Sequence, residues 1–247
     1  MRKAILTSQV WRAVFRRPLP RSPREQKQAA RNNFFLHLHP ATLPRQRLRL
    51  TTTFCMGGIS FLLFIILTVT GLLLMFYYRP TTAFAYRDMK DLEYAVTMGQ
   101  FLRNLHRWAA HGMVLTVIAH MARVVYARAY KPPREFNWVV GVSLLVLTLF
   151  LSFTGYLLPW DQLAYWATSV GTNMLRAMPV LGAAGPASLV DLNTDVGFYF
   201  LGGRVIGESS LIRFYVLHVF VLPVVAIVLM MVHFWRVRKD GMLKTPL

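Results

Sequence analysis

Leu105-His106-Arg-Trp-Ala-Ala-His-Gly-Met-Val-Leu-Thr-Val-Ile-Ala-His120 is an apolar run that opens and closes on a histidine. A second run, His218-Val-Phe-Val-Leu-Pro-Val-Val-Ala-Ile-Val-Leu-Met-Met-Val-His233, repeats the arrangement with one more residue. At about 100° and 1.5 Å per residue, spacings of roughly 14 and 15 return to nearly the same helical face after about 21–22 Å. That rise covers most of a hydrocarbon core about 30 Å thick. Imidazole is costly in lipid unless it has a partner, and for four histidines in two matched pairs the natural partner is iron. Two parallel helices carrying such pairs would clamp two haems, one above the other, across a membrane.

Working outward, the 247-residue chain is 55% apolar and 15% charged, well below the roughly 25% charge of globular proteins. Four stretches are nearly free of charge: Phe54–Tyr78, Trp108–Ala122, Phe136–Trp160 and Phe214–Trp235. The second reaches spanning length when extended to Gln100 and Tyr126, because flanking arginines snorkel or meet buried acids. The expected fold is an all-α membrane protein, a four-transmembrane-helix bundle enclosing two stacked haems. Residues 51–247 form this dihaem domain. Residues 1–50 form a basic extension broken by Pro18, Pro20, Pro23, Pro40 and Pro44. The first apolar segment starts too late and runs too long for a cleaved secretory signal.

Charge orients the bundle. Of the net +18, residues 1–50 hold twelve Lys/Arg against one acid, Glu25. Without a nucleic-acid-binding module beside it, this tail points to membrane lipid on the cytoplasmic, negative side rather than to nucleic acid. The loop after the first span mixes Arg79, Arg87 and Lys90 with Asp88, Asp91 and Glu93 and has no positive excess. The next loop carries Arg123, Arg128, Lys131 and Arg134 against Glu135, as an inside loop should. The long connection Asp161–Arg213 is nearly neutral and therefore outside. Within it, Leu163–Met178 reads as a surface helix and the Gly/Pro/Asp-rich remainder as loop. Arg236, Arg238, Lys239 and Lys244 return the C-terminus to the inside.

This topology makes the second and fourth spans parallel. His106 and His218 then share an outer level, and His120 and His233 an inner one. Six-coordinate, bis-imidazole irons leave no open position and favour electron transfer over oxygen chemistry. Glycines repeat the spacing: Gly57 and Gly71 on the first span, Gly141 and Gly155 on the third, each pair 14 apart. A helix that lies against a flat cofactor needs a strip free of side chains, although small residues also serve ordinary helix packing. Arg103, Arg123, Arg134 and Arg238 are the cations placed to meet haem carboxylates, with positive-inside or snorkelling roles as the alternative for Arg134 and Arg238. His111 has no counterpart on the fourth span and reads as a packing residue; His37 and His39 belong to the tail. The single cysteine, Cys55, rules out an internal disulfide and a CxxCH haem attachment.

Further segments carry a likeness: Phe-Cys-Met-Gly-Gly-Ile-Ser at 54–60, Tyr-Tyr-Arg-Pro-Thr at 77–81, Leu-His-Arg-Trp at 105–108 and Arg-Glu-Phe-Asn-Trp-Val-Val-Gly-Val at 134–142. Thr-Gly-Tyr-Leu-Leu-Pro-Trp-Asp-Gln at 154–162, Arg-Phe-Tyr-Val-Leu-His at 213–218 and Arg-Lys-Asp-Gly at 238–241 complete it. Over roughly residues 50–247 the chain resembles the cytochrome b/b6 family, in its short b6 form, and the 15-residue step to His233 is similar to that form. The resemblance implies a subunit of a quinol–cytochrome c or plastocyanin oxidoreductase in a bacterial inner membrane or thylakoid-like membrane. Quinol would be oxidised outside, one electron passing to a Rieske iron–sulfur protein and on to a c-type cytochrome. The other electron would cross two haem b groups to quinone inside, in a Q-cycle. Tyr156, Pro159 and Trp160 match the border of the outer quinol site. The Pro-Glu-Trp-Tyr motif that completes it is absent, which implies a separate three-helix subunit within a dimeric complex. Cys55 matches the position that holds an extra c-type haem by one thioether bond; its other reading is a small residue at a helix end.

Two other functions remain open on sequence. A dihaem anchor of a hydrogenase or formate dehydrogenase also uses four helices, but the glycine pairs and the long outer connection speak against it. A proton-coupled transporter relaying through histidine calls for acids within the spans, and Phe136–Trp160 and Phe214–Trp235 contain none.

Overall fold

A computed structural model describes residues 22–26 and 54–240, with side chains as far as Arg238. Apart from 22–26, the basic extension expected over residues 1–50, with His37 and His39, lies outside the described residues, as does Lys244. The chain divides into two units, Met1–Thr52 and Thr53–Leu247. In the first, Ser22 and Glu25 cap a helical turn reciprocally: the Ser22 hydroxyl accepts from the Glu25 amide, and the Glu25 carboxylate accepts from the Ser22 amide.

The second unit holds α1 (Met56–Met75), α2 (Ala85–Tyr94), α3 (Gly99–Tyr126), α4 (Glu135–Leu157), α5 (Gln162–Arg176), α6 (Val196–Leu201), α7 (Glu208–Val216) and α8 (Leu222–Asp240). No strand occurs among the described residues. A single π turn, Leu217–Val221, joins α7 to α8, so that Glu208–Arg238 is one rod. Four helices are long and apolar enough to cross a membrane: α1, α3, α4 and the α7–α8 rod. Within their most apolar windows no more than 17% of residues are buried inside the protein. Such rods are stable only where lipid or neighbouring subunits cover their flanks.

Caps and breakers set the ends. Pro132 and Pro133 precede α4, whose first turn carries Glu135 at the positive end of the helix dipole. Asp161 caps α5 by accepting from the Ala164 amide at 2.8 Å. Asp195 caps α6 through the Phe198 amide at 2.6 Å, and Gly202 ends that helix at φ 74°. The α2–α3 turn is tight enough that a Cβ on Gly99 would lie 2.1 Å from the Leu92 carbonyl oxygen.

The protein's own core lies at one end of the bundle. Tyr78, Ala85, Leu157, Ala164, Leu211 and Phe214 pack together there, where the connecting helices gather. By the expectation from loop charge this is the outer end of the bundle, and the opposite end the inner one. Asp88, 4% exposed, anchors it by accepting from the Arg79 amide at 2.8 Å and from the guanidinium at 2.5 and 3.0 Å. Those hydrogen bonds hold the Asp88 carboxyl below its ordinary range. Tyr78 donates to the Leu158 carbonyl at 2.6 Å, and burial raises its phenol above the usual value.

Three elements differ from expectation. The charged loop after the first span contains α2, because Ala85, Asp88 and Leu92 recur at helical spacing and turn inward together. The supposed loop before the fourth span contains α6, held by its Asp195 cap. The fourth helix begins at Glu208, six residues before Phe214. Its polar first turns are fixed at the outer end, where the Glu208 carboxylate accepts from the Thr82 amide and hydroxyl at 2.9 and 2.7 Å.

Candidate dihaem site

α1 packs against α3 and α4 against α8, and the four helices surround a cavity of about 840 Å³. That is near the upper end of ligand-site volumes. All four histidines and all four glycines singled out by spacing line it. His106 faces His218 with ring centres 6.3 Å apart, and His120 faces His233 at 6.4 Å. The two contacts together make α3 and α8 parallel.

Each glycine backs one imidazole. A Cβ on Gly71 would lie 3.3 Å from Cε1 of His106, and one on Gly57 3.3 Å from Cε1 of His120. The corresponding distances are 3.7 Å from Gly141 to His233 and 2.5 Å from Gly155 to His218. Hence α1 runs antiparallel to α3, and α4 to α8. Each glycine lies on the cavity wall, where a strip against a flat cofactor is expected, and faces the edge of an imidazole from the neighbouring helix.

At the outer level the second nitrogen of each ring is fixed. The Thr70 hydroxyl donates to the Ile66 carbonyl at 2.7 Å, which leaves its oxygen to accept from His106 Nδ1 at 2.8 Å. His218 Nδ1 donates to the Leu151 carbonyl at 3.0 Å, with the Thr154 hydroxyl at 3.3 Å. Both contacts place the proton on Nδ1 and leave Nε2 with a lone pair for a metal. At the inner level the Asn137 backbone is the neighbouring acceptor for His233, too loosely placed for a hydrogen bond. Sequence reasoning missed Thr70 and Thr154, although both outer glycines sit in a Thr-Gly pair, at 70–71 and 154–155, and the inner ones do not.

The donor set fits a bis-imidazole iron. A metal–nitrogen bond of roughly 2 Å, plus about 1 Å from that nitrogen to the ring centre, puts two trans imidazole centres about 6 Å apart. Both levels match this figure. Among the described residues no group of three or more His, Cys, Asp or Glu gathers as a metal site, and each level presents a pair of imidazoles.

The remaining site residues separate. Arg103, Arg123 and Arg134 line the cavity, as does Arg107, which sequence reasoning passed over. Arg103 forms an ion pair with Glu93 of α2. Arg123 is 7% exposed. Arg238 is exposed on α8 and does not line the cavity. Cys55 stands at the N-cap of α1 and lines the inner end. Tyr156 and Pro159 line the outer end. Trp160 does not: at φ 52° it turns the chain from α4 into α5, and its ring meets Tyr165 edge-on at 6.3 Å. His111 is exposed, edge-on to Trp108 at 5.7 Å.

The chain is similar to known proteins over most of its length. The sequence pattern of the cytochrome b/b6/petB family matches residues 44–241. Cytochrome b6 of Tupiella akineta is 43% identical over 188 residues, 76% of this chain and 82% of that protein. Cytochrome b6 of Heliomicrobium gestii is 42% identical over the same share of this chain and 83% of its own length. Among solved structures, a chain of a hyperthermophilic respiratory Complex III superposes with a TM-score of 0.67 at 28% identity, covering 77% of this chain. The present chain spans about half of that longer one, 48%. With four histidines at two levels and this likeness over three quarters of its length, the chain belongs to the cytochrome b/b6 family, as a b6-type cytochrome b.

Proposed function

We propose that the chain is the transmembrane electron-transfer subunit of a b6f/bc-type complex, moving electrons from quinol at the outer side to quinone at the inner side in a Q-cycle. The observation that carries this reading is the pairing of imidazoles at two levels, each ring backed by a glycine of the adjacent helix. Membership of the cytochrome b/b6 family supports this reading over the hydrogenase-anchor and transporter alternatives.

His106 and His218 hold one haem b iron, and His120 and His233 the other. When bound, haem iron would supply one-electron exchange, and holding it between two imidazoles would favour electron transfer over oxygen chemistry. The polypeptide positions and insulates. Thr70 and the Leu151 carbonyl fix the outer ligand tautomers, and Gly57, Gly71, Gly141 and Gly155 admit the rings. Arg103, Arg123 and Arg134 offer cations to the cofactor carboxylates, Arg238 serving from the inner surface. Tyr156, Pro159 and Trp160 border the outer quinol site, which a three-helix partner subunit completes. A Rieske protein and a c-type cytochrome take the other electron, in a dimeric complex. Cys55 carries a further c-type haem by one thioether bond, a reading supported by its place at the inner mouth of the cavity. Residues 1–50 form a basic extension on the cytoplasmic side, where both termini lie.

Pyridine haemochrome analysis with haem staining of denaturing gels tests this. Two extractable b haems are expected, plus a stained band that disappears in Cys55→Ala. A preparation without b-type absorbance overturns the electron-transfer reading, and an unstained wild-type band overturns the covalent haem alone.

A further inference from the structure

The part of the outer connection that the sequence presents as loop is built around one arginine. Arg176 closes the last turn of α5, and its guanidinium reaches both ends of α6. Nε lies 3.4 Å from Oδ2 of Asp195, the residue that caps the start of α6, and Nη2 donates to the Arg204 carbonyl just past its end at 3.1 Å. The Asp195 side chain is fully buried and that of Arg176 is 17% exposed. Solvent therefore screens this pair less than a surface pair, and breaking it strands a charge in the interior. The arginine stem passes so close to Gly197 that a Cβ there would lie 2.8 Å from Arg176 Cγ. The fourth rod grips α6 in turn. Arg213 donates to the Tyr199 carbonyl, Ser210 donates to the Leu201 carbonyl at 2.9 Å, and Phe200 meets Phe214 edge-on with ring centres 5.1 Å apart.

The other end of α5 belongs to the cavity wall. Leu163 lines the outer end beside Tyr156, Pro159 and Asp161, and Tyr165 meets Trp160 edge-on. Between its two ends α5 rests on α4, where a Cβ on Gly171 would lie 2.7 Å from the Phe153 ring. A helix supported in this way tilts about its middle when its far end is released. We infer that Arg176 is a positioning residue for the outer quinol site. Through Asp195 and α6 it fixes the tilt of α5, and so the place of the site's wall, relative to the rod that carries His218. The inference rests on the quinol reading above. At 1.5 Å per residue, about 20 Å of helix separate Arg176 from Leu163, so the arginine acts on the wall through position alone. A displaced wall loses contacts that quinol makes equally in its ground and transition states, which raises KM and leaves kcat in place.

Steady-state oxidation of duroquinol by the intact complex, with a c-type cytochrome as acceptor, tests this. Asp195→Asn keeps the oxygen that caps α6 and removes the charge that meets Arg176. It is expected to raise KM for duroquinol several-fold with kcat and b-haem content nearly unchanged, and Arg176→Gln to do the same. The double variant should be no worse than either single change, because both open one latch. An unmoved KM in both single variants, a loss of kcat in step with b-haem content, or a double effect equal to the product of the single ones overturns the inference. If Arg176→Gln fails to assemble, Gly197→Ala serves instead: the new methyl displaces the Arg176 stem with both charges retained. The same rise in KM is expected there, and an unmoved KM overturns the inference equally. A wild-type complex that shows b-type bands and leaves duroquinol unoxidised sinks the quinol reading first, and the two failures are thereby told apart.

Discussion

The outer and inner histidine levels hold their rings at almost the same separation and by different means. Outside, each Nδ1 has a fixed acceptor, the α7–α8 rod passes through a π turn at its ligand, and the packed core of the protein lies alongside. Inside, the rings rest on glycines without threonine partners, among cations and lipid-facing surface. The π turn precedes Pro223, whose missing N–H cannot serve the Val219 carbonyl. Identical ligand chemistry thus tolerates unequal scaffolding, and the difference predicts which level fails first.

The largest effect comes from the ligands. His106→Leu is expected to remove the outer b-type signal and spare the inner, and His120→Leu the reverse, read in low-temperature difference spectra. Loss of both signals from either change would mean that the levels assemble as one unit.

Next come the glycines, which sharpen the contrast. In Gly155→Ala the new methyl meets His218 Cε1 at 2.5 Å, closer than any relaxed contact, so the outer level should be lost or strongly distorted. Gly141→Ala meets His233 at 3.7 Å, an ordinary contact, and should retain the inner haem. Haem-to-protein ratios of the two variants check the order.

A smaller effect is expected from Thr70→Val, which removes the hydroxyl that fixes His106. Partners of this kind are worth roughly 10–100-fold in metal affinity or activity. Weakened retention of the outer haem on titration with a competing apoprotein, with the inner one unchanged, is the expected reading.

The smallest is a pH effect confined to the outer end. Asp88 is held below its ordinary range by Arg79. A depressed carboxyl contributes stability above its unfolded value, about 3.9, and loses that contribution as pH falls through the lower folded value. Melting of the solubilised protein should therefore decline more steeply below about pH 4 in wild type than in Asp88→Asn. Parallel profiles would remove the Arg79 pair from the stability of the outer end.

Much of this architecture is legible along the chain because membrane physics leaves few options. The span read as Gln100–Tyr126 is observed as Gly99–Tyr126, since a low-charge run of that length has one good conformation in lipid. The pairing of His106 with His218 and of His120 with His233 follows from loop charge and spacing. By contrast, α2, α6 and the early start of α7 were hidden. α2 and the first turn of α7 are polar, and α6 is apolar but only six residues long; helices so short are marginally stable until a neighbour covers their apolar face.

What the sequence by itself determined is the set of four spans, their register and the residues at each level, because period and hydropathy act locally and repeat. What only tertiary structure decided is which atoms meet. Gly155 lies closer to its imidazole than Gly141 does, Thr70 reaches His106 across two helices, and Glu93 finds Arg103. Those outcomes depend on helix rotation and offset by fractions of a turn, which packing among all the helices fixes together and no single segment encodes.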